Sequence, residues 1–183
     1  MKLKDNITPN INVGLFGHFT YCYEYLFDDI LDLVEAEMNN EVYVKEVGQG
    51  DAKYSLCKFH FDTYLVYLHY TMFQIGPWEF RPIVAIRNQI DGMLINLGER
   101  GADLDWIQKY PNSTNYFQTM LREAEKHDGP TIYAVHGITD KKEMEILRDL
   151  LEIPPSGEMM GYTTGDDSRL REIVMRIVML SQK

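Results

Sequence analysis

The sequence predicts an α/β domain built on a doubly wound, mostly parallel six-stranded sheet. Apolar runs rich in β-branched and aromatic residues alternate with stretches whose apolar residues recur at helical spacing, the pattern of strands joined by helical crossovers. Two such runs, residues 54–61 and 64–72, are separated only by Asp62 and Thr63, so they are expected to pair as an antiparallel hairpin.

The first strand is expected at residues 11–16, and a helix at 23–38 follows from the spacing of Leu26, Ile30, Leu33 and Val34. Asn39 and Asn40 end it. Residues 41–53 are polar and contain glycine, which predicts a loop holding at most one short strand. After the hairpin, residues 83–90 read as a helix and 93–97 as a buried strand. The stretch 103–126 is helical in part and interrupted near Pro111. A strand at 132–135 precedes a helix at 141–151, and Asp140 stands where an N-cap belongs. Residues 159–165 form a strand and loop. A closing helix capped by Asp167 or Ser168 runs to Leu180, with Leu170, Ile173, Val174, Ile177 and Val178 facing inward.

Composition narrows the function. The chain has 183 residues, 45% of them hydrophobic and 12% aromatic, which suits one domain spanning 1–183. A formal net charge of −10 argues against DNA and RNA as partners, because phosphate recognition rests on clustered Lys and Arg. No run approaches the ~18 apolar residues that span a bilayer, and the N-terminus has no signal-like apolar core, so a cytoplasmic protein without membrane contact is expected. Cys22 and Cys57 lie far apart without a C-x-x-C pattern, which excludes a disulfide framework and a zinc knuckle. No H-x-x-x-H pair or metal-loop spacing is present, so no metal site is expected. His18 and His136 both fall at C-terminal strand ends, where doubly wound sheets place ligands.

Residues 12–30, NVGLFGHFTYCYEYLFDDI, run from a strand through Gly17 and His18 into a helix. This resembles the phosphate-binding loop of translational GTPases, the elongation and initiation factors, whose strand is followed by G-H-V-D-H-G-K-T-T-L. The chain is similar to it at Gly17, His18, Phe19 and Leu26. In that register Cys22 replaces the second glycine, Tyr23 the lysine and Glu24 the magnesium-binding hydroxyl residue. A register begun at Gly14 puts Phe19, Thr20 and Tyr21 in those places, and neither register supplies a lysine. Replacing the lysine removes a charge-assisted contact worth roughly 1.5–3 kcal/mol. A helix N-terminus contributes only about 0.3–1 kcal/mol, too little to offset it.

Residues 73–97 are similar to the second switch of Arf-type and translational GTPases. Gly76 fits the glycine of D-x-x-G, while Phe73 replaces the aspartate that serves magnesium and Pro77 replaces the residue that orients water. The segment HGITD, residues 136–140, stands where N-K-x-D reads the guanine base. Asp140 matches its aspartate, and Gly137 and Ile138 replace Asn and Lys. A cap and a base contact remain open as roles for Asp140, and the two are compatible. MMGYTTG, residues 159–165, resembles V-S-A-x-T-G, with Gly161 and Tyr162 replacing Ser and Ala. The matches follow superfamily order over almost the whole chain, which implies a Ras-like P-loop GTPase fold consisting of a G domain alone.

Three functions follow. The first is a pseudo-GTPase that retains the fold as a protein-interaction or regulatory module, not an enzyme. Its vestigial nucleotide site would comprise Gly17, His18, Cys22, Tyr23, Glu24, Gly76 and Asp140, with neither GTP nor Mg²⁺ expected as cofactor. Tyr21, Tyr23, Trp78 and Phe80 would gather at the switch-like loops as contacts for a protein partner, one tied to translation if the resemblance to those factors holds. Alternatively, Tyr23 and Trp78 fill the vacated pocket. The second function is a GTP-binding protein with a weak, atypical site and slow or absent hydrolysis. The third is an unrelated α/β enzyme using His18, Tyr21 and Tyr23.

Overall fold

The computed structural model describes residues 9–18, 25–38, 43–47, 54–73, 86–98, 103–109, 118 and 121–182. In chain order these form β1 (Asn10–His18), α1 (Tyr25–Met38), β2 (Tyr43–Val47), β3 (Tyr54–Phe61), β4 (Tyr64–Phe73), β5 (Gly92–Leu97), α2 (Leu104–Lys109), β6 (Thr131–His136), α3 (Lys141–Leu151), β7 (Glu158–Tyr162) and α4 (Asp167–Leu180). They build one sheet in the order β2-β3-β4-β1-β5-β6-β7. β1 lies in the middle, parallel to β4 on one side and β5 on the other. β6 and β7 continue the parallel half. The hairpin forms as expected, with Phe61 opposite Tyr64 and Asp62 turning at a φ of 53°.

The sheet therefore has the expected doubly wound α/β form, and a seventh strand joins the expected six. That strand is β2, antiparallel to β3 through Val44 and Cys57. Its sequence, YVKEV, sets a charged pair between apolar residues, and it falls within residues 41–53, where one short strand was allowed. A second difference concerns residues 83–90. Ile86 is the last helical residue, 87–89 are turn, and residues 83–85 lie outside the described residues. The turn closes through Gln89 N–H donating to the Ile86 carbonyl at 2.7 Å, and Asp91 N–H then donates to the Asn12 carbonyl at 2.7 Å.

Two helical layers bury the two faces. On one, Ile11, Val13 and Leu15 of β1 pack with Leu26 and Ile30 of α1 and with Ile173 and Ile177 of α4. On the other, Phe16, Met93, Ile95 and Val135 pack with Leu147 and Leu151 of α3. All six residues of β5 are buried, as a strand covered on both sides requires. Each large side chain removed from water contributes roughly 1.5–3 kcal/mol. α3 ends with Glu152 at a φ of 57°, its N–H returned to the carbonyls of Arg148 and Asp149.

A polar chain crosses β3, β4 and β1 diagonally, from Tyr54, level with Phe16, through His69 to Asn12 near the start of β1. Asn12 donates its backbone N–H (2.9 Å) and its side-chain amide (3.3 Å) to Asp91 Oδ2. Its Oδ1 is then the acceptor for His69 Nε2 at 3.2 Å, which places the imidazole proton on Nε2. His69 Nδ1 consequently accepts from the Tyr54 hydroxyl at 2.7 Å. Burial holds the His69 pKa below its ordinary value. The unfolded chain thus binds the proton more readily, and stability falls as pH drops through 6.5 toward the folded-state value. Glu123, whose carboxylate Lys126 and Arg87 hold low, adds its own loss only further down, below 4.5. Urea unfolding between pH 7.5 and about 5.5 is expected to show this loss, and His69→Gln to flatten it. A flat profile in the unsubstituted chain would contradict the assignment of His69 as a neutral, buried link.

Candidate functional site

In a doubly wound sheet the ligand crevice lies outside the carboxyl ends of the parallel strands. Those ends here are Gly17 and His18 of β1, Asn96 and Leu97 of β5, His136 of β6 and Tyr162 of β7. Gly17 is buried and paired in register with Met72 on one side and Asn96 on the other. His18 pairs with Phe73. The strand thus runs two residues further than residues 11–16, and both positions read as opening a phosphate loop belong to the ladder.

Asn96 is a buried polar residue within an apolar strand. Its Oδ1 accepts from the Tyr162 hydroxyl at 3.0 Å. β6 lies between them, and Ala134, the register partner of Asn96, offers only a methyl group there. Tyr162 in turn carries His136 edge-on, ring centroids 5.2 Å apart at 77°. The His136 Nε2 lies 3.2 Å from Thr164 Oγ1, tying the end of β6 to the loop before α4. Gly137 and Gly165 turn the two loops at φ 78° and 83°, conformations glycine adopts without strain.

Carboxylates surround this end. Asp29 of α1 has its pKa raised, first by burial and then by Asp32, with Asp167 adding to the rise and His136 opposing it. Asp29 in the second turn of α1 thus lies within electrostatic reach of the N-terminus of α4 and of the end of β6. Asp140 accepts from the backbone N–H of Lys142 at 2.9 Å and of Glu143 at 3.1 Å, so it is the N-cap of α3. Ile138, at the position of the base-reading lysine, is buried against the α3 side of the sheet. A Cβ on Gly161 would meet the Ile138 carbonyl at 2.0 Å, so this loop and β7 approach as closely as glycine allows.

Of the residues singled out from sequence, Gly17, His18 and Asp140 are placed. Gly17 joins the row that continues through Asn96 and Tyr162, whereas Asp140 turns its carboxylate to its own helix. Tyr21, Cys22, Tyr23, Glu24, Gly76, Pro77, Trp78 and Phe80 lie outside the described residues. Asn96, Thr164 and Asp29 were not singled out. An asparagine inside GMLINL was the available signal for the first. Among the described residues no group of three or more His, Cys, Asp or Glu converges as a metal site would, and no helix is long and apolar enough to cross a membrane. Burial, reinforced by Glu35, pushes the Cys57 thiol up to about 12, so it is not a nucleophile.

No protein-family model and no curated protein matches the sequence. Solved structures do match by shape. The cytosolic domain of the T. maritima FeoB iron transporter in its GMPPNP form is 14% identical, with a TM-score of 0.53 over 94% of this chain and 64% of that one. Its apo form gives 15% identity and a TM-score of 0.54, over 95% and 65%. The G domain of the same transporter gives 13% identity and a TM-score of 0.50, covering 94% of this chain and 99% of that one. The chain has the fold of a GTPase G domain. It spans about two thirds of the cytosolic-domain chains and nearly all of the isolated G domain. Identity this low shows the fold and does not choose among GTPase families.

The Tyr162–Asn96 bond is a buried link between β5 and β7 at this end. Tyr162→Phe is expected to cost about 1–3 kcal/mol in chemical denaturation, because Asn96 stays buried after losing a partner. A change below a few tenths of a kcal/mol would mean that water or a rotated amide replaces the hydroxyl.

Proposed function

We propose that this G-domain fold has lost magnesium-dependent nucleotide chemistry and serves as a pseudo-GTPase, a protein-interaction or regulatory module in the cytoplasm. The observation that carries this reading is the pairing of His18 with Phe73. It sets Phe73 at the end of β4 beside the end of β1, where GTPases that this sequence resembles keep the aspartate serving magnesium. A phenyl ring cannot hold a hydrated cation, and without the metal the terminal phosphates lose their main counter-charge. The ladder position of Gly17, the buried Ile138 and the carboxylates around Asp29 support the same reading.

A second reading, a GTP-binding protein with a weak atypical site, is favoured by Gly17 and Asp140 remaining in place and by the G-domain likeness itself. The FeoB structures include GMPPNP and GDP forms, which makes guanine nucleotides the ligands to try. A translation-linked partner follows only from the resemblance to translation factors, and a role beside a transporter fits the fold equally well.

Calorimetry separates the two readings. GTP and GDP, with or without Mg²⁺, are expected to bind no tighter than about 1 mM, near −4 kcal/mol. Tyr23→Lys alone should not restore binding, because Glu24 and Phe73 still disfavour the metal. Micromolar binding that requires Mg²⁺ would overturn the pseudo-GTPase proposal and support the second reading.

For the switch-like loops, Trp78→Ala is expected to abolish partner capture with an unchanged Tm. A clear fall in Tm would instead identify the ring as a core plug.

A further inference from the structure

Among the described residues β7 closes one end of the sheet. Its ladder with β6 fixes the direction of its backbone groups. The Tyr162 carbonyl points inward and accepts from Gly137 N–H at 2.8 Å, so the alternating Met159 and Gly161 turn their N–H and C=O groups outward. Arg169 of α4 donates Nε to the outward Gly161 carbonyl at 3.2 Å and is itself held by Glu172. The edge is thus organised but not covered by a further strand.

A groove of about 340 Å³ runs between this edge and α3. Its apolar lining is Met144, Met159 and Gly161, and its cations are Lys141, Arg148 and Arg169. Arg148 donates Nη1 to the Pro154 carbonyl at 2.6 Å and Nη2 to the Gly157 carbonyl at 2.9 Å. Both acceptors are neutral, so these bonds fix the guanidinium without cancelling its charge. Glu145 is the groove's acid and Glu172 offsets Arg169, so Lys141 and Arg148 leave the lining positive on a chain whose formal net charge is −10.

We propose that this groove takes an extended acidic segment of a protein partner, which adds as a strand to β7 and lays Asp or Glu side chains against Lys141, Arg148 and Arg169. Main-chain bonds to the edge supply attachment, and alternate side chains supply selectivity. The charge complementarity selects an acidic occupant. A second copy of this chain fits less well, because β7 offers one acid, Glu158, and Arg176 already holds it at 3.0 Å. The inference does not depend on the loss of nucleotide binding.

The probe is a short fluorescein-labelled peptide of alternating glutamate and valine, titrated with the full chain and read by fluorescence anisotropy in the absence of nucleotide. Saturable binding that weakens as NaCl rises is expected. Lys141→Glu should weaken it about tenfold with an unchanged Tm, since an acid in the first turn of a helix is well tolerated. Methylating the peptide's backbone N–H groups should abolish binding, and a lysine–valine peptide should not bind. Absence of binding, equal binding of the methylated peptide, or insensitivity to Lys141→Glu would each overturn the proposal. So would a concentration-dependent dimer in sedimentation that Lys141→Glu abolishes, which would assign the groove to a second copy.

Discussion

The structure depends on the burial of β1 between two strands and two helical layers. A strand paired on both edges and covered on both faces can carry polar side chains only where the sheet ends, because an unpaired polar group in the interior is costly. β1 follows this closely. Ile11, Val13, Leu15 and Phe16 are buried in the two cores, Asn12 is tied to Asp91 and His69 near its start, and the chain turns polar again only at His18. The candidate site lies at the C-terminal end.

In the proposed reading, the C-terminal end is a ligand crevice filled by the protein's own groups. A nucleotide site needs backbone N–H groups left free to converge on phosphate, a cation, and a carboxylate free to reach the base. Here Gly17 is paired on both sides, Asn96 is tied to Tyr162, His136 rests on the Tyr162 ring, and Asp140 caps α3. Each of these contacts stabilises the empty fold. Under the proposed pseudo-GTPase reading, these contacts would let the domain hold its shape without a nucleotide. Evolutionary reuse of such a frame as a binding surface is consistent with the open edge at β7, which lies outside the crevice.

Much of the fold was legible in the sequence because the elements with one buried face have strong periods. α1 and α4 show their inner faces as Leu26, Ile30, Leu33 and Leu170, Ile173, Ile177, and the structure buries those residues. The hairpin declared itself through its two-residue turn. β2 did not, since an edge strand of five residues gives a short, half-polar pattern that a loop can also give. The helix expected over 83–90 runs too far at its C-terminal side, where Arg87, Asn88 and Gln89 form a turn after the helical Ile86. Asp140 was readable as a cap from its neighbours in sequence. Asn96 carried a signal as the polar residue inside GMLINL, but its partner Tyr162 and the neighbours of Asp29, His136 and Asp167, come from distant strands and helices.

The central claim is that the strand-end crevice no longer assembles around a magnesium nucleotide. Amide hydrogen exchange tests it at the residues concerned. With Mg²⁺-GTP added at about 0.1 mM, an affinity near 1 mM leaves the site nearly empty, so exchange at Gly17, His18 and Gly137 through Asp140 is predicted to match that of the ligand-free protein. Protection confined to those amides, appearing only when Mg²⁺ and GTP are present together, would contradict the account and restore a working nucleotide site.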